Sequence, residues 1–337
     1  MTENQVALPP WLDAPLASLL AMHASLPHAL LLQGPRGIGK GLLAERFAQC
    51  LLCEAPLPNG QACGHCDACG WFRAANHPDF RRISPLVDDE GSGKSERSRR
   101  EIKIDQIRAL GDFVAIGAHR AGRKLVLIDP AEAMNMPAAN ALLKTLEEPS
   151  GDTVFLLVCG NAGALPATVR SRCVPFKLSS PDAALAQTWL QGALGGEPSL
   201  IGQWLALADG APLRARDFAE PAASAAYRMV LQAGADIPEN PVMKSAEGLA
   251  NVPAALWVPL LQAWIGDLAR VSVQAAPVRF PAQAPRLRAL AKRTSLGHIM
   301  GLAQWLNRQT PILEHPLNAR LLAEDVWLRY EALFSGA

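Results

Sequence analysis

The stretch Gly34-Pro-Arg-Gly-Ile-Gly-Lys-Gly41 constrains the fold of this chain more than any other part of its sequence. It directly follows the apolar run Ala29–Gln33 and directly precedes an amphipathic segment, residues 41–52. A glycine-rich loop between a buried strand and a helix is a phosphate-binding P-loop context. Gly34, Gly37 and Gly39 let backbone N–H groups face an anion, and Lys40 adds a cation at a helix N-terminus. Such a unit needs a parallel sheet around it, whose strands read as short apolar runs. Four further runs qualify: Phe80–Ile83, residues 125–129, Thr153–Cys159 and residues 174–178. Helical patterns separate them. In residues 41–52, Leu43, Phe47, Cys50 and Leu51 share one face, which makes Cys50 a core residue. Asp105 is expected to cap a helix carrying Ile107, Leu110 and Val114. Residues 88–100 mix acids, glycines and bases without periodicity and read as a surface loop.

After Leu178 the strand signals stop. Ser180-Pro181-Asp182 opens an Ala- and Leu-rich helical region, so the expected class is α/β plus all-α. Three domains are expected: residues 1–179, a small helical domain at 180–219 and a larger one at 220–337. Connections are expected around residues 236–241 and 275–285. Trp204, Trp257, Trp264, Trp305 and Trp327 lie in these helical parts, and most are expected in the core, where a tryptophan buries a large area.

Composition narrows the function classes. Among 337 residues, 50% are hydrophobic and 19% charged, which excludes a disordered chain. With 32 Lys+Arg against 31 Asp+Glu the net charge is +1, unlike a protein that coats DNA by neutralising phosphates. No apolar run approaches the ~20 residues that span a bilayer. Residues 1–11 carry no secretory signal pattern, so a cytoplasmic protein with no membrane partner is expected.

The P-loop is eroded where chemistry needs it most. The position after Lys40 ordinarily supplies a Ser or Thr hydroxyl to Mg²⁺, and here it is Gly41. The strand ending at Asp129 offers a carboxylate for the metal. The next residue, where many ATPases keep a water-activating Glu, is Pro130, which does no acid–base chemistry. Glu132 is the nearest carboxylate that could substitute, and Asn161, just past Cys159-Gly160, is the nearest candidate γ-phosphate sensor. No ATP hydrolysis by this chain alone is expected. The retained glycines and Lys40, with Asp129, form a degenerate nucleotide site that leaves weak ATP binding open.

Four of the seven cysteines crowd together as Cys53-x9-Cys63-x2-Cys66-x2-Cys69. Cys-x2-Cys spacing lets two sulfurs reach one tetrahedral ion from a tight turn. Four thiolates with no open position describe a structural Zn²⁺ site in a reducing compartment. His65, flanked by ligands, is expected to point to solvent. A zinc ribbon for nucleic acid is the alternative, with Trp71 and Arg73 nearby but little other basic charge.

Arg170-Ser-Arg-Cys173 precedes the last strand. Taken alone, Arg172 reads first as a surface ion-pair partner, with an arginine finger as the alternative. The latter makes sense in trans, on a subunit that has lost its own ATPase chemistry.

With these residues assembled, the chain resembles the bacterial clamp-loader AAA+ family. The resemblance rests on Ala139-Asn-Ala-Leu-Leu-Lys-Thr-Leu-Glu-Glu-Pro149, on Ser171-Arg172-Cys173 and on the position of the four-cysteine insertion. It extends to His28-Ala-Leu-Leu-Leu32, His77-Pro-Asp-Phe80 and, more weakly, Asn318-Ala-Arg-Leu-Leu322. It covers the first 180 residues densely and the helical remainder by layout. The resemblance implies a RecA-like AAA+ domain with a zinc module at 53–69, a helical lid and a helical collar joining five subunits. It implies partners: motor subunits (gamma/tau), a delta subunit, the sliding clamp and, through the complex, primed DNA. It further implies that Arg172 acts on the ATP of a neighbouring motor subunit and that the Leu142-to-Pro149 helix end forms the interface. Two rivals remain: a self-sufficient P-loop ATPase, such as a motor-type subunit or helicase loader, and a zinc-dependent nucleic-acid-binding module.

Overall fold

The computed structural model describes residues 8–86, 101–120, 122–148, 151–235, 248–249, 251–309 and 319–334. The expected loop at 88–100, the connection at 236–241, Pro149 and Asn318 lie outside the described residues. The chain divides into two compact units, Met1–Pro181 and Asp182–Ala337.

The first unit is built on a five-stranded parallel sheet: β1 (Ala29–Gln33), β2 (Phe80–Ile83), β3 (Lys124–Ile128), β4 (Thr153–Cys159) and β5 (Val174–Lys177), in the order β2-β3-β4-β1-β5. β3 begins one residue earlier than the apolar run suggests, which leaves Asp129 just past its end. β5 stops at Lys177, although the Leu178 N–H still donates to Gln33 O at 2.8 Å. β1, β3 and β4 are buried on both faces, as their unbroken apolar character requires.

Alternate residues of the strands serve opposite faces. Leu31, Val126, Ile128, Phe155, Leu157 and Cys159 join one core with Ile107, Leu110 and Val114 of α4 (Ile104–Ala115) and Leu142 and Leu146 of α5 (Met136–Glu147). Helix α2 (Lys40–Leu52) packs on β1, β3 and β4, with Leu43, Phe47 and Cys50 buried. α1 (Asp13–Ala21) and α3 (Asp67–Arg73) flank it. Asp105 does not cap α4. The N-cap is Lys103, whose N–H donates to Gln106 Oε1 at 3.0 Å, so a glutamine in the first turn reaches back to satisfy the end. Asp105 sits inside that turn, where a negative charge suits the helix dipole.

The second unit is all helical. Asp182 caps α7 (Ala183–Leu194), accepting from Ala184 N at 2.9 Å, and α7 packs with α8 (Pro198–Leu207) and α9 (Pro212–Ala219). α10 (Pro221–Ala235), α12 (Ala284–Ala291) and α13 (Leu296–Gln309) surround α11 (Ala254–Ser272), and α14 (Ala319–Ala332) packs on α13. Along α11 the face Trp257, Leu261, Trp264 and Leu268 is buried. The Trp264 indole N–H donates to Tyr330 Oη at 2.7 Å, and that hydroxyl donates to Gly234 O at 3.0 Å. Trp204 and Trp327 are also buried. Trp305 is not a core residue. It is half-buried under the Arg329 guanidinium, 4.3 Å from its ring centre, because cation–π contact there takes the place of apolar burial. No helix among the described residues is long and apolar enough to cross a membrane.

A buried carboxylate orders the connection after α11. Asp267, fully buried, accepts the backbone N–H groups of Val278 (2.9 Å), Arg279 (2.8 Å) and Phe280 (2.7 Å). Phe280, fully buried, packs edge-on against Trp264 as a result. Replacing Asp267 with Ala strands three backbone donors and is expected to cost roughly 3 kcal/mol. Urea unfolding should show this loss, with the Asp267→Asn variant between Ala and wild type.

Candidate functional site

In a parallel sheet all strands point their carboxyl ends to one edge, where ligands of such folds bind. That edge here gathers the P-loop after β1, Asp129 after β3 and Gly160 after β4. Gly34 donates its N–H to Cys159 O at 3.3 Å, and a Cβ there would collide with the Leu178 carbonyl oxygen. Gly37 and Gly39 have φ of 81° and 92°, which favours glycine, and Gly39 stands at the N-cap of α2. Lys40 is buried, and its ammonium folds back to donate to Pro35 O at 2.7 Å. Burial lowers its pKa, opposed by the carboxylates of Glu132 and Asp129.

Gly41 is more than a lost hydroxyl. A Cβ at this position would lie 2.5 Å from Asp129 Oδ2, so the carboxylate occupies space a serine or threonine would need. Asp129 is held there by Arg82, whose Nη2 is 3.3 Å from Oδ2 and whose Nη1 pairs with Glu45 on α2. Burial pushes the Asp129 pKa up, while Arg82 and Lys40 pull it down. Glu45, Arg82 and Asp129 thus form one chain of ion pairs at this edge.

Glu132 is also engaged. Its Oε1 accepts the Gly160 N–H at 3.0 Å and pairs with Arg36 Nη2 of the P-loop at 3.3 Å. Burial and then this carboxylate push the neighbouring Cys159 thiol up to about 11. Both contacts use Oε1, while Oε2 is buried and has no hydrogen-bond partner. Asn161 accepts the Gly163 N–H at 3.1 Å and so caps a local turn. Sequence reasoning passed over Arg36, Glu45 and Arg82. Of these only Arg82 carried a signal, as part of an Arg-Arg pair inside a strand otherwise chosen for its apolar residues.

The sulfur atoms of Cys53, Cys63, Cys66 and Cys69 all lie within 4.8 Å of one another. Cys53 Sγ is 3.6 Å from Cys63 Sγ and 3.8 Å from Cys66 Sγ. Four thiolates at ~2.3 Å around a tetrahedral ion stand about 3.8 Å apart, so the donor set fits zinc. The turns need Gly60 and Gly64, with φ of 79° and 81°. Backbone N–H groups of His65 and Cys66 draw the Cys63 pKa down to about 6, and burial pushes that of Cys69 up. His65 is exposed, with Nδ1 3.0 Å from Cys63 O, and lies outside the cluster. Arg120 ties the cluster to the sheet. Its side chain pairs with Glu54 at 3.6 Å and stacks 5.0 Å over Trp71, while its N–H donates to buried Asp79 at 2.9 Å.

Arg172 follows the short helix α6 (Ala167–Arg170). Its Nε donates to Glu147 Oε1 at 2.8 Å, Nη2 pairs with the same oxygen, and Nη1 donates to Thr168 O at 2.8 Å. The side chain is one-third exposed.

A sequence family described as DNA polymerase III, delta subunit, matches residues 16–182. A DNA polymerase III subunit delta' of Pseudomonas aeruginosa is 36% identical over 335 residues, covering 96% of this chain and 97% of its own. One from Yersinia pestis is 36% identical over 219 residues, 63% of this chain and 61% of its own. Among solved structures, a DNA polymerase III gamma subunit-related protein of Thermotoga maritima aligns at 17% identity with a TM-score of 0.48, covering 94% of this chain and 99% of its own. With a relative this similar along nearly the full length of both chains, this chain belongs to the DNA polymerase III subunit delta' family.

Proposed function

We propose that this chain is a clamp-loader subunit that does not hydrolyse ATP itself and supplies Arg172 to the ATP site of a neighbouring motor subunit. The observation that carries this reading is the Asp129 carboxylate packed against Gly41. A motor needs a hydroxyl and a free carboxylate for Mg²⁺. This chain has neither: the hydroxyl is absent, and the carboxylate is paired to Arg82 where the missing side chain would stand. The relatives' names supply the assembly, a polymerase III subunit. Its partners are then gamma/tau motor subunits, a delta subunit, the sliding clamp and primed DNA reached through the complex, in the cytoplasm. The N-terminal unit would act as a rigid RecA-like domain, residues 180–219 as the lid and residues 220–337 as the collar that holds it in a ring.

In this role the chain's own residues present and orient a cation. Arg172 lies on the surface, and its guanidinium would meet charge spreading over a transferred phosphoryl group across a subunit interface. Glu45, Arg82 and Asp129 would keep the chain's own pocket fixed while the neighbour cycles. Cys53, Cys63, Cys66 and Cys69 would hold one zinc ion, which when bound cross-links the end of α2 to α3 and performs no catalysis.

Three outcomes test this. In a reconstituted loader, Arg172→Ala should lower ATP turnover about tenfold or more without loss of assembly, and the isolated chain should show none. Turnover by the lone chain would instead favour the self-sufficient ATPase. Gly41→Ser should not create turnover, because Pro130 still stands where a water-activating acid is needed. Metal analysis should find one zinc per chain, lost in Cys69→Ser together with a lowered unfolding temperature. A metal-free native chain whose four thiols all react freely would contradict the zinc assignment.

A further inference from the structure

Glu147 has no evident reason to be charged for the sake of its own helix. It is the last residue of α5, where the dipole disfavours a carboxylate by about 0.3–1 kcal/mol. Its partner explains it. One oxygen of Glu147 takes both Nε and Nη2 of Arg172, while the Thr168 carbonyl takes Nη1. A guanidinium has five N–H groups, and this arrangement commits three of them. On Nη2 one N–H remains, and the second on Nη1 faces only the Ser171 hydroxyl, 3.5 Å away. The two terminal nitrogens therefore keep donors for an outside acceptor, while Nε and both flanks of the plane are clamped by two separate elements, α5 and α6.

We propose that Glu147 is a positioning residue for Arg172: it fixes the guanidinium plane so that the terminal N–H groups meet an incoming phosphoryl oxygen without a rotamer search. The inference rests on the reading that Arg172 acts in trans. An arginine on its three-methylene stem loses about 2 kcal/mol of rotamer freedom on being ordered, and a preformed clamp removes most of that loss from the moment of reaction. An ordinary exposed ion pair, by contrast, contributes little and only to folding.

The test is ATP turnover of the reconstituted loader, with kcat and KM separated, for Glu147→Ala, Glu147→Gln, Arg172→Ala and the Glu147→Ala/Arg172→Ala double variant. Glu147→Ala should lower kcat about tenfold with KM for ATP within about twofold of wild type. Glu147→Gln, whose amide oxygen still accepts from Nε and Nη2, should recover to within about threefold of wild type. The double variant should be no slower than Arg172→Ala, because the carboxylate acts only through that arginine. If Arg172→Ala is impaired but Glu147→Ala is as fast as wild type, or the two losses multiply in the double variant, the positioning role is overturned while the finger stands. If Arg172→Ala itself turns over like wild type, the trans reading fails first. Should Glu147→Ala hinder assembly, the Glu147→Gln/Arg172→Ala pair reads the same coupling: equal to Arg172→Ala supports the role, a multiplied loss overturns it.

Discussion

Everything polar in the first unit depends on five strands running parallel. With β1 between β4 and β5, and β3 beyond β4, the chain delivers the P-loop, Asp129 and Gly160 to one edge of the sheet. That edge is the ready-made anion site of the fold, with helix α2 pointing its N-terminus at it. Here the protein's own carboxylates and carbonyls engage the polar groups at that edge. Asp129 takes the place beside Gly41, Glu132 takes the Gly160 N–H and Arg36, and Lys40 rests on the Pro35 carbonyl.

This alters the meaning of the eroded motif. A glycine after the P-loop lysine reads as a missing ligand, a subtraction. In the folded chain the Asp129 carboxylate stands where a Cβ at this position would be, paired to Arg82, which in turn pairs with Glu45. Restoring a hydroxyl alone leaves Asp129 paired to Arg82.

The strands, the P-loop and the cysteine cluster were legible because each depends on local chemistry. Apolar runs, glycines with positive φ and Cys-x2-Cys spacing act over a few residues, and the structure puts β1, β2 and β4 on those runs. What lay beyond the sequence was pairing between distant segments. Arg82 is 47 residues from Asp129, and Glu147 is 25 from Arg172. No period or motif links such residues, so only the sheet order and the packing of α5 beside α6 brings them together. The same holds for Asp267, an isolated acid in an apolar helix until the returning chain presents three N–H groups to it. Asp105 misled for a related reason, and Trp305 is the exception among tryptophans of which most are expected in the core. A tryptophan in a helical region implies burial only if its face turns inward, and a cap is decided by which residue reaches the free N–H groups.

The pair Arg172 and Glu147 joins these themes. The first unit ties the carboxylates at its P-loop edge to its own arginines and keeps a clamped, partly exposed guanidinium on its surface. The central claim is that this guanidinium serves a nucleotide that another subunit holds. The most direct measurement is a high-resolution structure of the assembled loader with Mg²⁺ and a non-hydrolysable ATP analogue. The account predicts nucleotide on the neighbour with Arg172 within hydrogen-bond distance of its γ-phosphate, and the Asp129–Arg82 pair intact in this chain. Nucleotide and metal seated on Lys40 and Asp129 of this chain, with Arg172 remote from any phosphate, would contradict it.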